Sequence, residues 1–241
     1  MIELENVSKS YNGKVKAVDD LTLRVPDGEI VGFLGPNGAG KTTTLKLIMG
    51  ILKTDSGRIR INGLDMQTQA LEAKRIMGYV PDNPDMFLRL KGREYLNFMA
   101  DLYGVSTLER RERIARLTET FELSGSLSES LQQFSHGMRQ KIVLIGSLLH
   151  DPEVCILDEP LAGLDPKSAF NLKEILRDYA KRKRIVFFST HVLDVAERLC
   201  NRVAVIHKGR LLFFGDMDDM KSSLKKDASL ESLFLEMTDN A

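Results

Sequence analysis

The chain has no surplus of charge, few cysteines and no long hydrophobic run. Its 241 residues carry 34 basic and 34 acidic side chains, so the formal net charge is +0 and no global field favours nucleic acid or anionic lipid. No apolar stretch approaches the roughly 20 residues that span a bilayer, and the N-terminus lacks a basic segment followed by an apolar one. These absences predict a globular, cytosolic chain and leave only local, specific binding to nucleic acid or lipid open.

The two cysteines, Cys155 and Cys200, lie within apolar patterns and lack metal-ligand spacing, which predicts buried, reduced thiols. Internal repeats and low-complexity tracts are absent as well. With 43% hydrophobic residues, the chain can bury a substantial core, as one large domain or as a core with an inserted subdomain.

Two periodicities divide the first part of the chain. Residues 21–25 and 58–62 alternate apolar with polar side chains, as half-buried antiparallel strands do, and Gly28 and Gly63 follow them as turn residues. From about residue 86 to residue 149 the apolar positions recur at helical spacing instead. This change predicts a helical insertion.

After the insertion, strand and helix patterns alternate again. Apolar runs at 154–157, 185–188 and 203–206 are separated by helical patterns, such as 167–181, which is typical of a parallel sheet with crossover helices. A final helical pattern predicts a packed cap. Its apolar positions are Leu230, Leu233, Phe234 and Met237.

The most specific motif is GPNGAGKT at residues 35–42, which matches GxxxxGK[ST] between the apolar run 30–34 and the helical pattern 42–49. Glycines let the backbone N–H groups of such a loop surround a polyphosphate, and the helix N-terminus adds positive potential. Lys41 is predicted to reach the β- and γ-phosphates, and the Thr42 hydroxyl to bind Mg²⁺. The alternative is a glycine-rich turn that binds nothing.

A second motif follows the apolar run 154–157, where Asp158 and Glu159 stand side by side. Adjacent carboxylates at a strand end repel each other unless a cation or a reaction uses them. Asp158 is therefore predicted to hold Mg²⁺, and Glu159 to face the water that attacks a γ-phosphate. An exposed turn ended by Pro160 is the alternative.

With these motifs in place, the chain resembles the ATP-binding cassette family over nearly its whole length. Residues 134–138 read FSHGM, which is similar to the family's LSGGQ signature. Ser135 is a good N-cap for a following helix, and Gly137 lets a phosphate approach the backbone. The resemblance implies that this helix end binds the γ-phosphate held by a second subunit, in a head-to-tail dimer around two ATP molecules.

Three further positions carry the resemblance. Residues 162–165 (AGLD) look like the loop that crosses the dimer interface in the family, which implicates Asp165. His191, after Ser189 and Thr190, looks like the switch histidine that contacts the γ-phosphate. Tyr11 matches the aromatic residue that stacks on adenine, although stacking alone does not distinguish ATP from GTP.

Two positions depart from the family pattern. Asp82 stands where the family has a glutamine, and it offers Mg²⁺ an anionic oxygen on a shorter side chain. That position links the nucleotide to the membrane partner in the family, so the departure puts the coupling strength in question. His136 replaces the first glycine of the signature and has to point away from the phosphate or contact it.

The resemblance implies an α/β fold: a P-loop NTPase core with a mostly parallel sheet, an antiparallel β subdomain and an inserted α-helical subdomain. Residues 1–241 then form a single domain, with the core at 1–85 and 151–215, the helical subdomain at 86–150 and the C-terminal cap at 216–241. It assigns catalysis to Glu159, His191 and Lys41, and Mg²⁺ binding to Thr42, Asp82 and Asp158. The residues predicted to contact ATP are Tyr11, Gly35, Pro36, Asn37, Gly38, Ala39, Gly40, Lys41, Thr42, Thr43, Ser135, Gly137 and Asp165.

The predicted function is that of the ATPase subunit of an ABC transporter of the exporter type, located on the inner face of the cell membrane. Its partners are a polytopic permease on a separate chain and a second ATPase, either another copy or a different chain. Phe87, Leu88 and Leu90 are predicted either to form a groove for the permease or to belong to the helical core. A soluble ABC ATPase acting on ribosomes or DNA and a nucleotide kinase are the competing functions.

Overall fold

The computed structural model describes residues 1–11, 13 and 15–222, which form two β-sheets and the helices around them. The strands are β1 (Ile2–Tyr11), β2 (Val15–Val25), β3 (Ile30–Leu34), β4 (Ser56–Ile61), β5 (Leu64–Asp65), β6 (Met77–Val80), β7 (Val154–Asp158), β8 (Ile185–Thr190), β9 (Arg202–His207) and β10 (Arg210–Asp216). The helices are α1 (Lys41–Ile48), α2 (Ala70–Arg75), α3 (Gly92–Leu102), α4 (Thr107–Thr120), α5 (His136–Leu148), α6 (Pro166–Lys181), α7 (Leu193–Leu199), α8 (Met217–Ser222) and a 3-10 turn (Leu131–Gln133).

The larger sheet has the strand order β10-β9-β3-β8-β7-β6, and all of its strands except β10 run parallel. Strands β3, β7 and β8 are buried along their whole length, which explains their continuous apolar sequences. Because parallel strands share one carboxyl edge, the loops after β3, β6, β7 and β8 meet there. That edge carries the motifs predicted from the sequence.

The smaller sheet is antiparallel, in the order β2-β1-β4-β5. Leu4 of β1 lies opposite Leu23 of β2 and Ile59 of β4, so the alternating apolar side chains face one side. They form a single buried cluster with Phe33 of β3 and Leu45 of α1. Helix α1 is therefore packed between the two sheets, at the end of the phosphate loop.

The helices α3, α4 and α5 lie between β6 and β7 in the sequence and enclose a second core. Tyr95 and Phe121 are fully buried in it, together with Leu144 of α5 and Leu172 of α6. The predicted fold class, a mostly parallel sheet with an antiparallel sheet and inserted helices, is confirmed. The exact division of the chain at 85/86, 150/151 and 215/216 stays a proposal.

Several local predictions need correction. Helix α2 and strands β6 and β10 were not identified: α2 and β6 have only six and four residues, and β10 is partly exposed along its length without alternation. Cys155 is buried as predicted, but Cys200 is only partly buried; both are free. The predicted cap begins with the end of β10 and α8, and its apolar residues 230–237 lie outside the described residues. Within residues 1–11, 13 and 15–222, every helix is too short or too polar to cross a membrane.

A half-buried histidine, His150, joins the helical core to the parallel sheet. The His150 ring stacks on Tyr103, with 3.6 Å between ring centroids and 8° between planes, and its Nε2 donates to the Met77 carbonyl at 3.1 Å. Burial lowers the pKa of His150 to about 4, against the opposing influence of the Met77 bond and the Asp151 charge. The folded state therefore keeps this imidazole neutral at pH values where the unfolded chain binds a proton.

This difference predicts a pH-dependent stability. Because the folded pKa lies below the unfolded one, the stabilisation is complete above about pH 6.5 and is lost as the pH falls towards 4. Urea unfolding should show about 2 kcal/mol of stability lost through His150 between pH 7.5 and pH 5. His150→Phe, which keeps the stacking but cannot titrate, should lose correspondingly less over the same range. An equal loss in both proteins would contradict the assignment.

Candidate functional site

The loop between β3 and α1 runs very close to neighbouring backbone. A Cβ at Gly35 would lie 2.5 Å from the Ile206 carbonyl oxygen, and a Cβ at Gly40 would lie 2.3 Å from the Ala17 carbonyl oxygen. Gly38 and Gly40 also adopt φ values of +81° and +108°, which side chains disfavour. The path of the loop thus requires these glycines. The first N–H groups of α1, which have no acceptor within the helix, lie at its end.

Lys41, the first residue of α1, is largely buried beside this loop. Its Nζ donates to the carbonyl oxygens of Gly35 at 2.7 Å and Pro36 at 3.3 Å, and lies 3.8 Å from Oε1 of Glu159. Burial lowers the pKa of Lys41 below its usual value, although nearby carboxylates, Glu159 foremost, act in the opposite direction. The two bonds to Gly35 and Pro36 leave one of the three ammonium N–H groups for a phosphate.

Asp158, the last residue of β7, is 1% exposed, and only one of its two carboxylate oxygens has a hydrogen-bond partner in the described part of the chain. The Ser189 hydroxyl donates to its Oδ1 at 2.5 Å. Its Oδ2 is buried and has no hydrogen-bond partner among the described residues. Such an oxygen is costly to bury unless a cation or donor occupies the adjoining space.

Glu159 is held in a strained backbone conformation, with φ at +47°. Its N–H donates to the Ser189 hydroxyl at 3.0 Å, so one serine fixes both acidic residues. Ser189 was not singled out from the sequence, and the structure also shows that it and Thr190 end β8 rather than follow it. Only the pairing of β7 with β8 brings these residues together.

The Glu159 side chain also meets the predicted switch histidine. Nδ1 of His191 donates to Oε1 of Glu159 at 2.9 Å, and the imidazole itself is exposed. The same Oε1 faces Lys41. One carboxylate oxygen is therefore shared by two groups that can carry positive charge.

These side chains line one cavity of about 440 Å³, a volume typical of small-ligand sites. Its walls include all three predicted catalytic residues and all three predicted Mg²⁺ ligands, together with Ala17 and Ala162, which were not predicted. Tyr11 lies at the rim, 48% exposed, with its hydroxyl 3.4 Å from Oγ1 of Thr43. It is the last residue of β1.

The signature residues lie apart from this cavity. Ser135 caps α5 by accepting from the Met138 N–H at 3.2 Å. Gly137 and Gly163 touch: a Cβ at Gly137 would lie 2.7 Å from the Gly163 carbonyl oxygen. The His136 ring packs against Gly163 as well, since a Cβ there would lie 2.8 Å from its Cδ2.

Asp165 likewise lies outside the cavity. It caps α6, accepting from the N–H and the hydroxyl of Ser168 at 2.9 and 2.7 Å, and pairs with Lys141 of α5 at 2.6 Å. The hydrogen bond from Lys141, followed by those from Ser168, holds the pKa of Asp165 well below its usual range. In this conformation its carboxylate oxygens bind Lys141 of α5 and Ser168 of α6, and its contact with ATP stays a prediction.

Within residues 1–11, 13 and 15–222, no group of three or more His, Cys, Asp or Glu side chains is placed to hold a metal by itself. Mg²⁺ in nucleotide sites is bound by one or two carboxylates together with phosphates and water. The unpartnered Oδ2 of Asp158, the Asp82 carboxylate and the Thr42 hydroxyl are hard oxygen donors on one cavity. The donor set therefore fits Mg²⁺ bound together with a nucleotide.

Comparison with known proteins agrees with this geometry. The sequence model described as "ABC transporter" matches residues 18–162. The ABC transporter ATP-binding protein NatA of Bacillus subtilis is 33% identical over 239 residues, covering 98% of this chain and 97% of that protein. The Nod factor export ATP-binding protein I of Paraburkholderia xenovorans is 37% identical over 214 residues, covering 89% and 70%.

A solved structure of an ATP-binding subunit of an ABC transporter superimposes with a TM-score of 0.93 at 34% identity, covering 98% of this chain and 99% of that one. The phosphate loop (35–42), the signature residues (134–138) and the paired acidic residues (158 and 159) follow one another along the chain. The chain belongs to the ABC transporter family, as one of its ATP-binding subunits.

Proposed function

We propose that this ATPase works as a dimer around two Mg·ATP molecules and drives export through a permease on a separate chain. The observation that carries the proposal is the single cavity that holds the phosphate loop, Lys41, Asp158, Glu159 and His191. The export direction is supported by a relative that is an export ATP-binding protein. The site belongs on the cytoplasmic face of the membrane, beside the permease.

Glu159 is the general base of the proposed reaction. Its carboxylate accepts a proton from the attacking water, a role worth about 10²–10⁴ in rate. His191 orients the carboxylate through the 2.9 Å bond, while Lys41 donates its remaining N–H group to the γ-phosphate. Mg²⁺, when bound, neutralises developing charge on the phosphates, and Thr42, Asp82 and Asp158 are the residues that hold it.

The signature residues act on a different nucleotide. Ser135 and Gly137 form the N-terminal end of α5, where backbone N–H groups favour an anion. They do not line the cavity that contains Lys41. The proposal therefore assigns them to the ATP of the partner subunit, and a functional site consists of residues from both chains.

The permease contact is proposed at an exposed aromatic patch formed by Phe87, Phe98 and Leu102. The rings of Phe87 and Phe98 lie 5.4 Å apart, and the three side chains are 47%, 43% and 64% exposed. Leu88 and Leu90, for which the sequence left a groove and the helical core open, are partly buried against that core. Phe87 lies on the segment that links Asp82 of the nucleotide cavity to α3.

Replacing the general base tests the reaction. Glu159→Gln should keep ATP binding, lower phosphate release at least about 100-fold and accumulate an ATP-bound dimer, measured by calorimetry, phosphate assay and gel filtration. Glu153→Gln is the matched control, because Glu153 flanks the other end of the same strand. Full turnover in Glu159→Gln would remove the residue as base. A phosphorylated acceptor in place of free phosphate would indicate a kinase.

Replacing the signature serine tests the shared site. Ser135→Ala should slow hydrolysis roughly tenfold or more with little loss of ATP affinity in the monomer. Ser106→Ala is the control, since Ser106 caps α4 in the same way and both changes cost about 1 kcal/mol of helix capping. Equal rates for the two variants would contradict a signature contact with ATP.

Co-purification from detergent extracts tests the transport role. The chain should be recovered with a polytopic membrane protein, and Phe98→Ala should lower that recovery about tenfold, because buried aromatic anchors dominate interfaces. Leu108→Ala, which shortens a 78% exposed side chain on α4, should have no effect. Recovery with ribosomes or DNA instead would overturn the proposal.

A further inference from the structure

The nucleotide cavity holds more negative than positive charge. Asp82, Asp158 and Glu159 line it, and among the described lining residues Lys41 supplies the permanent positive charge, with His191 adding to it when protonated. A nucleotide brings further negative charge into this space. Its phosphates therefore meet repulsion as well as the favourable N–H groups of the loop.

The single ammonium is also partly engaged. Lys41 donates to two loop carbonyls and lies 3.8 Å from Glu159, so its charge is partly compensated before any nucleotide arrives. Asp158 receives one hydrogen bond, from Ser189, and keeps its buried Oδ2 unpartnered. Among the described residues, Glu159 has an ion-pair partner in the cavity, whereas Asp158 and Asp82 have none.

Within the part of the chain that the structure describes, Asp82 lacks the ion pair that the next acidic residue of its own loop, Asp85, forms. Asp85 pairs with Arg139 of α5 at 3.0 Å. Among the described residues no cation lies within ion-pair distance of Asp82, which is exposed at the cavity wall. The charge that this chain carries in place of the family's neutral glutamine is therefore felt inside the cavity.

We propose that Asp82 makes this site select the Mg²⁺ complex of a nucleotide and reject metal-free nucleotide. The inference rests on the nucleotide-binding function proposed above. Metal-free phosphates are repelled by Asp82 and Asp158, whereas Mg²⁺ neutralises part of their charge and turns the same oxygens into ligands. Asp82 is then a specificity-determining residue, and metal and nucleotide enter the site as one unit.

Thermodynamic linkage makes the proposal measurable from two sides. If Mg²⁺ raises the affinity for nucleotide by some factor, nucleotide has to raise the affinity for Mg²⁺ by the same factor. The neutral, nearly isosteric change Asp82→Asn should lower both factors equally. Because Asp82 is exposed, the effect should be largest at low ionic strength and decrease as salt screens the charge.

The experiment is titration calorimetry of the full chain with ADP, which is not hydrolysed, in buffer with Mg²⁺ and in buffer with EDTA. Asp82→Asn should bind metal-free ADP about three- to tenfold more tightly than the wild type at low salt. Asp85→Asn is the matched control, because it removes one negative charge from the same loop but outside the cavity. Its ratio of ADP affinity with Mg²⁺ to ADP affinity with EDTA should equal that of the wild type.

The outcomes separate the possibilities. Tighter metal-free binding in Asp82→Asn alone supports the proposal. An unchanged metal-free affinity in that variant overturns it, even if Mg·ADP binds less well, because Asp82 would then be only a metal ligand. The same increase in both variants also overturns it, because the effect would be one of net charge. Absence of ADP binding in every protein would refute the nucleotide-binding function itself.

Discussion

The close backbone contacts of the phosphate loop are the constraint on which the rest of this structure depends. The loop passes beneath the Ile206 carbonyl of β9 and beside the Ala17 carbonyl of β2, at distances that leave no room for a Cβ at Gly35 or Gly40. Both sheets must be assembled before the loop has its shape. The folding of the antiparallel sheet is therefore a condition for nucleotide binding, although that sheet supplies few of the groups that do the chemistry.

Much of this arrangement could be predicted from local sequence. Continuous apolar runs identified β7 and β8, alternating ones identified part of β2 and β4, and the loop motif located Lys41 at the start of a helix. What local patterns do not contain is the partner of each group. Ser189 forms hydrogen bonds with Asp158 and Glu159, about 30 residues earlier in the chain, and Lys141 forms an ion pair with Asp165. Only the assembled sheet and helices create these contacts.

The two parts of the proposed site lie in different places on the chain. The cavity around Lys41 is lined by the proposed base and by the proposed metal-binding oxygens of a single chain. The signature end of α5 has a cap, ion pairs to two loops through Arg139 and Lys141, and no place in that cavity. Its position outside the cavity of its own chain is what the proposed site, shared between two subunits, requires.

The contact between Gly137 and Gly163 has a consequence for the variation of this sequence. A side chain at Gly137 would meet the Gly163 carbonyl oxygen, and a side chain at Gly163, which also adopts a left-handed φ of +72°, would meet the His136 ring. The two positions therefore behave as one: enlarging either separates the start of α5 from the segment after Glu159. A substitution at the start of the signature helix should therefore be tolerated or not according to the residue at the loop position it touches, 26 residues further along the chain.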